Sequence, residues 1–170
     1  SIQKIAEIEL ENEGFDKAQP YFTKLLDQSE NKRDKYNAYS GLLEIAKVKS
    51  DYSKMIMYAD MILEEAAINA NVINEAYRNK GMANYYQGKY EEAKLSFQQA
   101  VNSAKDEYAA ESNYMMALMQ YNSENYELSI NTLFEMNKEF SSYAQWIGKS
   151  FLLIADNYLA MDEIFQAKAT

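Results

Sequence analysis

Gly88-Lys89-Tyr90-Glu91-Glu92-Ala93, followed by Phe97 and Ala100, is the stretch that decides the fold. Gly88-Lys89 is turn-like, and Tyr90 opens a helical pattern in which offsets of +3, +7 and +10 reach Ala93, Phe97 and Ala100. An α-helix turns once every ~3.6 residues, so these three positions share one stripe. The same offsets recur from Phe15 (Ala18, Phe22, Leu25), from Tyr52 (Met55, Ala59, Ile62) and from Tyr126 (Ser129, Leu133, Met136). A fifth anchor stands at Ile164, and the five are spaced 37, 38, 36 and 38 residues apart. A constant pattern at a near-constant period of this size specifies a stacked array of helical repeats.

Each repeat divides into two helices joined by a short turn. The residues before the anchors are turn formers: Gly14, Ser50-Asp51, Gly88-Lys89 and Glu124-Asn125. A glycine there is expected to take the left-handed conformation that ends a helix. Nine residues before the anchors stand Ala6, Leu43, Gly81, Ala117 and Ala155, mostly small residues that let two helices approach closely. The spacing predicts helices over 2–13, 16–29, 32–49, 52–68, 72–87, 90–104, 107–123, 126–139, 143–160 and 162–170. Pro20 is expected near the first turn of its helix, where a missing N–H costs little. The expected architecture is an all-α, right-handed superhelical solenoid of about five stacked helix pairs, forming a single domain over 1–170.

Composition narrows the chemistry. With no cysteine and no histidine, thiolate chemistry, the usual general base and the commonest transition-metal ligands are missing. Against 17 basic residues stand 26 acidic ones, and the net charge of −9 repels phosphate backbones, so nucleic acid is not an expected partner. The basic cluster Lys32-Arg33-Lys35 fits a solvated helix start. No apolar run approaches ~20 residues, so no direct membrane insertion is expected. Glu64-Glu65, Glu91-Glu92 and Asp106-Glu107 are adjacent acidic pairs, expected at helix starts or on polar faces rather than as catalytic carboxylates. No calcium-loop spacing, phosphate-binding glycine loop or nucleophile elbow occurs; no catalytic residue, metal site or cofactor is expected.

Gly81, the Gly88-to-Ala93 stretch and the Phe97/Ala100 pair resemble a tetratricopeptide repeat (TPR), most closely over residues 74–104. Weaker copies run from Phe15 to Leu25, Tyr52 to Ile62, Tyr126 to Met136 and Phe151 to Ala167. The period exceeds the ~34 residues usual in that family, and Lys80 and Asn84 fall where it normally buries apolar side chains. Glu139-Phe140-Ser141-Ser142 and Ala155-Asp156-Asn157-Tyr158-Leu159-Ala160 are similar to repeats of bacterial cell-envelope proteins, which implies a periplasmic location.

The resemblance implies a concave groove lined by the first helices, with side chains at offsets −12, −8 and −5 pointing into it. These are Ser40, Glu44 and Lys47; Arg78, Met82 and Tyr85; Tyr114, Leu118 and Tyr121; and Leu152, Asp156 and Leu159. The expected peptide-binding set is Lys47, Arg78, Met82, Tyr85, Tyr114, Leu118, Tyr121 and Asp156. Tyrosines offer a large rigid contact with a polar tip, which suits a binding surface. Family members that clamp a peptide's terminal carboxylate use lysine and asparagine, whereas Arg78, Met82, Tyr114 and Leu118 occupy the matching offsets here. The expected partner is therefore a protein or peptide segment bearing apolar or aromatic side chains. Met115, Met116 and Met119, with Met55, Met57 and Met61, are expected to fill gaps in helix packing. The competing expectation is a structural spacer with no ligand of its own.

The last repeat is short. Its second helix is expected from Asp162, with Phe165 and Ala167 docked on the preceding helix. That end is expected to continue into further repeats of a longer protein, or to be covered by an end-to-end contact.

Overall fold

The computed structural model describes residues 1–65 and 70–170. Ten helices account for its regular structure, and the described residues contain no strand. They are α1 (Ile2–Glu11), α2 (Phe15–Gln28), α3 (Lys32–Val48), α4 (Tyr52–Glu65), α5 (Ala70–Tyr86), α6 (Tyr90–Ser103), α7 (Glu107–Asn122), α8 (Tyr126–Glu139), α9 (Ala144–Ala160) and α10 (Ile164–Ala169). Every helix packs on the next, giving α1/α2, α3/α4, α5/α6, α7/α8 and α9/α10 as sequential pairs. Among the described residues no helix is long and apolar enough to cross a membrane. Residues 66–68, the expected end of the fourth helix, lie outside the described residues. The fifth helix begins two residues earlier than expected.

The stripe that the sequence repeats is the core. Ala18, Phe22, Leu25, Met55, Ala59, Ile62, Ala93, Phe97, Ala100, Leu133 and Met136 are buried, and so is Ser129. In α2 and α4 these residues account for all the buried positions. Ser129 is polar where the other repeats have Ala18, Met55 or Ala93, yet it is satisfied. Its Oγ donates to the Ala117 carbonyl at 2.9 Å and accepts from Asn157 Nδ2 at 3.0 Å, tying α7, α8 and α9 together. Lys80 resolves its unusual position by reaching out of α5 to Asp60 of α4 at 2.6 Å.

All five turns within the pairs are built alike, and here the expectation for Gly14 is corrected. Gly14 has φ −80°; the left-handed residue is Glu13, one position earlier. The residues two before each anchor, Glu13, Ser50, Gly88, Glu124 and Asp162, have φ of 58°, 53°, 74°, 60° and 61°. At each turn the N–H of the following residue reaches back five positions, as from Gly14 to Glu9 at 2.7 Å and from Lys89 to Asn84 at 2.9 Å. Asp51 to Ala46, Asn125 to Gln120 and Glu163 to Tyr158 repeat the bond at 2.9, 2.9 and 2.8 Å. This is a Schellman closure, which satisfies carbonyls that the helix end would otherwise leave free. Only Gly88 fills the left-handed position with glycine; the other four carry a Cβ there at a steric cost.

Three further expectations change. Pro20 sits inside α2, beyond its first turn, so an internal hydrogen bond to Asp16 is lost there. Asp162 belongs to the turn, and α10 opens at Ile164, the anchor position. Phe165 does not dock: it is 82% exposed. It follows the anchor directly, a position that Asp16, Ser53, Glu91 and Glu127 fill with polar groups in the other repeats. Ala167, at the inward +3 offset, is half-buried.

Two of the acidic pairs fall at helix starts as expected, and Glu64-Glu65 stand at the end of the described part of α4. Glu91 and Glu92 lie in the first turn of α6, and Asp106 caps α7 by accepting the Ala109 N–H at 2.9 Å. Lys32 opens α3 behind Asn31, whose side chain accepts the Asp34 N–H at 2.8 Å.

Candidate peptide-binding groove

The first helices α5, α7 and α9 touch in succession, which aligns their outward offsets into one surface. Met82 and Tyr85 of α5 and Tyr114 and Leu118 of α7 pack against the core residues Ala93, Phe97 and Met115. Leu118, Tyr114 and Tyr121 also border the core of the last two repeats. All five are half-buried: one side of each rests on the core and the other is left to solvent. The Tyr114 ring lies 5.6 Å from Trp146, and the Tyr121 ring 5.7 Å from Tyr126. Tyr85 sits 5.7 Å from Tyr90, with its hydroxyl accepting from Asn122 Nδ2 at 3.4 Å. Asp156 of α9 is exposed and close enough to act on Tyr114, whose hydroxyl is held above its ordinary pKa first by burial and then by that carboxylate. Beyond it, Leu152 and Leu159 are 69% and 56% exposed.

Arg78 and Lys47 are both present on the expected helices, but neither charge is free. Arg78 Nη2 and Nε approach Glu111 Oε2 at 2.6 and 2.7 Å, and Nη1 donates to Asn79 Oδ1 at 2.8 Å. The guanidinium lies 6.0 Å from the centre of the Tyr108 ring. Arg78 thus braces α5 against α7. Lys47 Nζ donates to Glu44 Oε2 at 2.6 Å on the same helix. Its helix, α3, keeps its backbone farther from α5: among the described residues the two have no Cα atoms within 8 Å, although α1/α3, α5/α7 and α7/α9 all do, and Leu43 and Ala46 of α3 meet Ala76 and Ala83 of α5 through side chains in one core cluster.

Glu75 and Tyr108 border this surface, Glu111 and Trp146 are buried beneath it, and none of the four was picked out from sequence. Glu75 and Glu111 both lie 15 residues before an anchor, one turn ahead of the −12 position. Extending the groove stripe by that turn finds them. Tyr108 faces Glu75, and its hydroxyl is pushed up to about 12, by burial first and the Glu75 carboxylate next.

The methionines divide. Met55 and Met115 are core, while Met57 and Met61 are 42% and 36% exposed. Met116 and Met119 form part of the floor of an open cleft of about 610 Å³ between α6 and α8, on the side of α7 away from the tyrosines. Among the described residues no group of acidic side chains is arranged to hold a metal ion.

Paired helices stacked in this way make a solenoid with an extended, open first-helix surface. Residues 74–106 match the family model of the tetratricopeptide repeat. No curated protein sequence matches the chain. Among solved structures, BtubC (BKLC) from P. vanneervenii superposes with a TM-score of 0.79 at 14% identity, over 99% of this chain and 74% of that one. YrrB, described as a TPR protein with an unusual peptide-binding site, gives 0.69 at 14% identity, over 98% of this chain and 79% of its own. Residues 74–106 thus match a tetratricopeptide repeat, and the chain as a whole shares the helical-repeat fold of these structures.

Proposed function

We propose that the chain is a non-catalytic scaffold that holds a peptide segment of a partner protein across α5, α7 and α9. The observation that carries this reading is the strip formed by Met82, Tyr85, Tyr114, Leu118 and Tyr121. Its side chains are anchored on the core yet open to solvent on their outer sides. Aromatic side chains held in this way are already ordered, so a ligand gains contact area at little additional entropic cost. That YrrB, which shares this fold, has a peptide-binding site supports the reading. Apolar and aromatic side chains are the partner chemistry that the strip accepts, with Asp156 marking its polar end.

The test is selection from a phage-displayed random-peptide library, followed by affinity measurement on the Tyr85→Ala/Tyr114→Ala/Tyr121→Ala variant. Because these tyrosines also pack on the core, helical circular dichroism must be retained for the comparison to count. Peptides that lose affinity for such a folded variant support the groove. Peptides that bind it unchanged place the binding surface elsewhere, and a library that yields no binder favours a structural spacer.

A further inference from the structure

On the side of α7 away from the groove, the open cleft of about 610 Å³ has α6 and α8 as its walls and α7 as its floor. At its floor the fourth repeat departs from the others. Thirteen positions before the anchors the chain has Ile2, Tyr39, Tyr77 and Phe151, but here it has Asn113. A bulky side chain at that place would fill part of the space that Asn113 leaves open. Asn113 is only 7% exposed, yet its carboxamide makes no hydrogen bond among the described residues. Its polar atoms are not sealed off, because the side chain lines the cleft. A nearly buried polar group without a partner gains from any ligand group that reaches it. The walls carry similar chemistry, with Gln98 on α6 and Asn131 and Thr132 on α8. Asn131 and Thr132 make no side-chain hydrogen bond among the described residues, and Gln98 uses only Nε2, which donates to Asn102 at 3.1 Å. Charge at the cleft is balanced: Lys94 offsets Glu91, and Glu135 is paired with Lys138 at 2.8 Å. In a chain of net charge −9 this is a locally neutral surface.

We infer that this cleft binds a neutral oligosaccharide, with Asn113 as the buried anchor. Each sugar hydroxyl both donates and accepts, and so answers a carboxamide whichever way it is turned. The apolar C–H faces of the rings rest on soft or aromatic side chains. Met116 and Met119 supply these on the floor, and Tyr90, 57% exposed, supplies one at the rim. From Asn113 to Ser123 the floor runs ~15 Å at ~1.5 Å per residue, room for several rings in a row. The volume falls within the range of ligand sites. An anionic ligand meets Lys94 alone among the described cations lining the cleft, with Glu91 and Glu135 against it. An extended peptide takes its specificity from pockets for alternate side chains, and these walls present carboxamides instead.

The test probes a printed array of neutral and anionic glycans with the full 170-residue chain. The neutral oligosaccharide retained most strongly is then titrated by backbone amide NMR. Saturable shifts are expected on α6, on α8 and on the Asn113-to-Ser123 face of α7, with α9 unmoved. Asn113→Leu, close in size but unable to hydrogen-bond, should weaken binding ~5–10-fold, the loss of about one hydrogen bond. Asn113→Tyr, which supplies the bulk that Tyr39 and Tyr77 have at this position, should abolish it. Asn131→Ala, on the exposed wall, should also weaken it several-fold, and it keeps the test open if the Asn113 variants fail to fold. An array that retains no neutral glycan, or anionic ones alone, would overturn the inference. So would unchanged affinity in folded Asn113→Leu or Asn131→Ala. A display-selected peptide that shifts this cleft would overturn it too, by assigning the site to a peptide chain. Asp156→Asn, in the groove, should leave glycan affinity unchanged, so failure of this inference and failure of the groove assignment are read separately.

Discussion

Replacing Gly81 with alanine should have opposite effects depending on what stands at position 97. Phe97 is fully buried on α6, and its ring lies directly over Gly81 on α5. A Cβ added at Gly81 would come 2.5 Å from Phe97 Cε1 and 2.6 Å from Cδ1, closer than real contacts allow. The ring is rigid and enclosed, so relief requires the two helices to part. Overpacking of this kind costs ~1–3 kcal/mol, while exchanging glycine for alanine within a helix returns ~1 kcal/mol. With the clash at the upper end of its range, Gly81→Ala alone should destabilise by ~1–2 kcal/mol. Phe97→Ala should cost ~3–5 kcal/mol through lost burial and the cavity left behind. In that background the added methyl group enters empty space, and Gly81→Ala should stabilise by ~1 kcal/mol. The coupling between the two sites is then ~2–3 kcal/mol, well above the ~0.5 kcal/mol expected of independent positions. Urea unfolding of the four proteins, followed by far-ultraviolet circular dichroism, measures it. Equal destabilisation by Gly81→Ala in both backgrounds would refute the close approach of α5 and α6 at this point.

Other consequences follow from the same geometry. Glu13→Gly and Glu124→Gly, at left-handed positions, should each raise stability by up to ~1 kcal/mol; any loss in a thermal melt would contradict the Schellman turn there. Tyr108 holds its proton more tightly when folded, to about 12, than a free tyrosine does near 10.0. Folding stability should therefore fall as pH rises between those values, and Tyr108→Phe should flatten the fall; a profile identical in both proteins would show that Tyr108 is not so placed. Arg78→Met leaves Glu111 charged without its partner in a largely buried position, at 12% side-chain exposure. The loss should exceed the ~0–1 kcal/mol of a surface pair and fall short of the ~3–5 kcal/mol of a fully buried one, as chemical denaturation would report.

The inward stripe was legible because it depends on helix geometry alone. Ala93, Phe97 and Ala100 and their counterparts in three other repeats share offsets that any α-helix converts into one buried line. Turns were legible by place but not by mechanism. The Schellman bonds are made by backbone, so Glu13 takes the left-handed role expected of Gly14, and Glu124 stands at the position where the third repeat has Gly88. Phe165 misled through its bulk, although its offset matches exposed polar residues in the other repeats. The groove offsets put Met82, Tyr85, Tyr114, Leu118 and Tyr121 on neighbouring helices, but they could not show that Arg78 is neutralised by Glu111. That pairing joins two repeats, and per-repeat offsets carry no information on the angle between repeats. The same limit hid the wider backbone spacing between α3 and α5.

The most direct measurement of the central claim is a backbone amide NMR titration with a peptide selected by display against the native chain. Binding in the first-helix groove predicts saturable shifts on α5, α7 and α9, centred on Tyr85, Tyr114 and Tyr121, and none on α6 and α8. Shifts centred instead on the outer cleft floored by Met116 and Met119, with the tyrosine strip unperturbed, would contradict it.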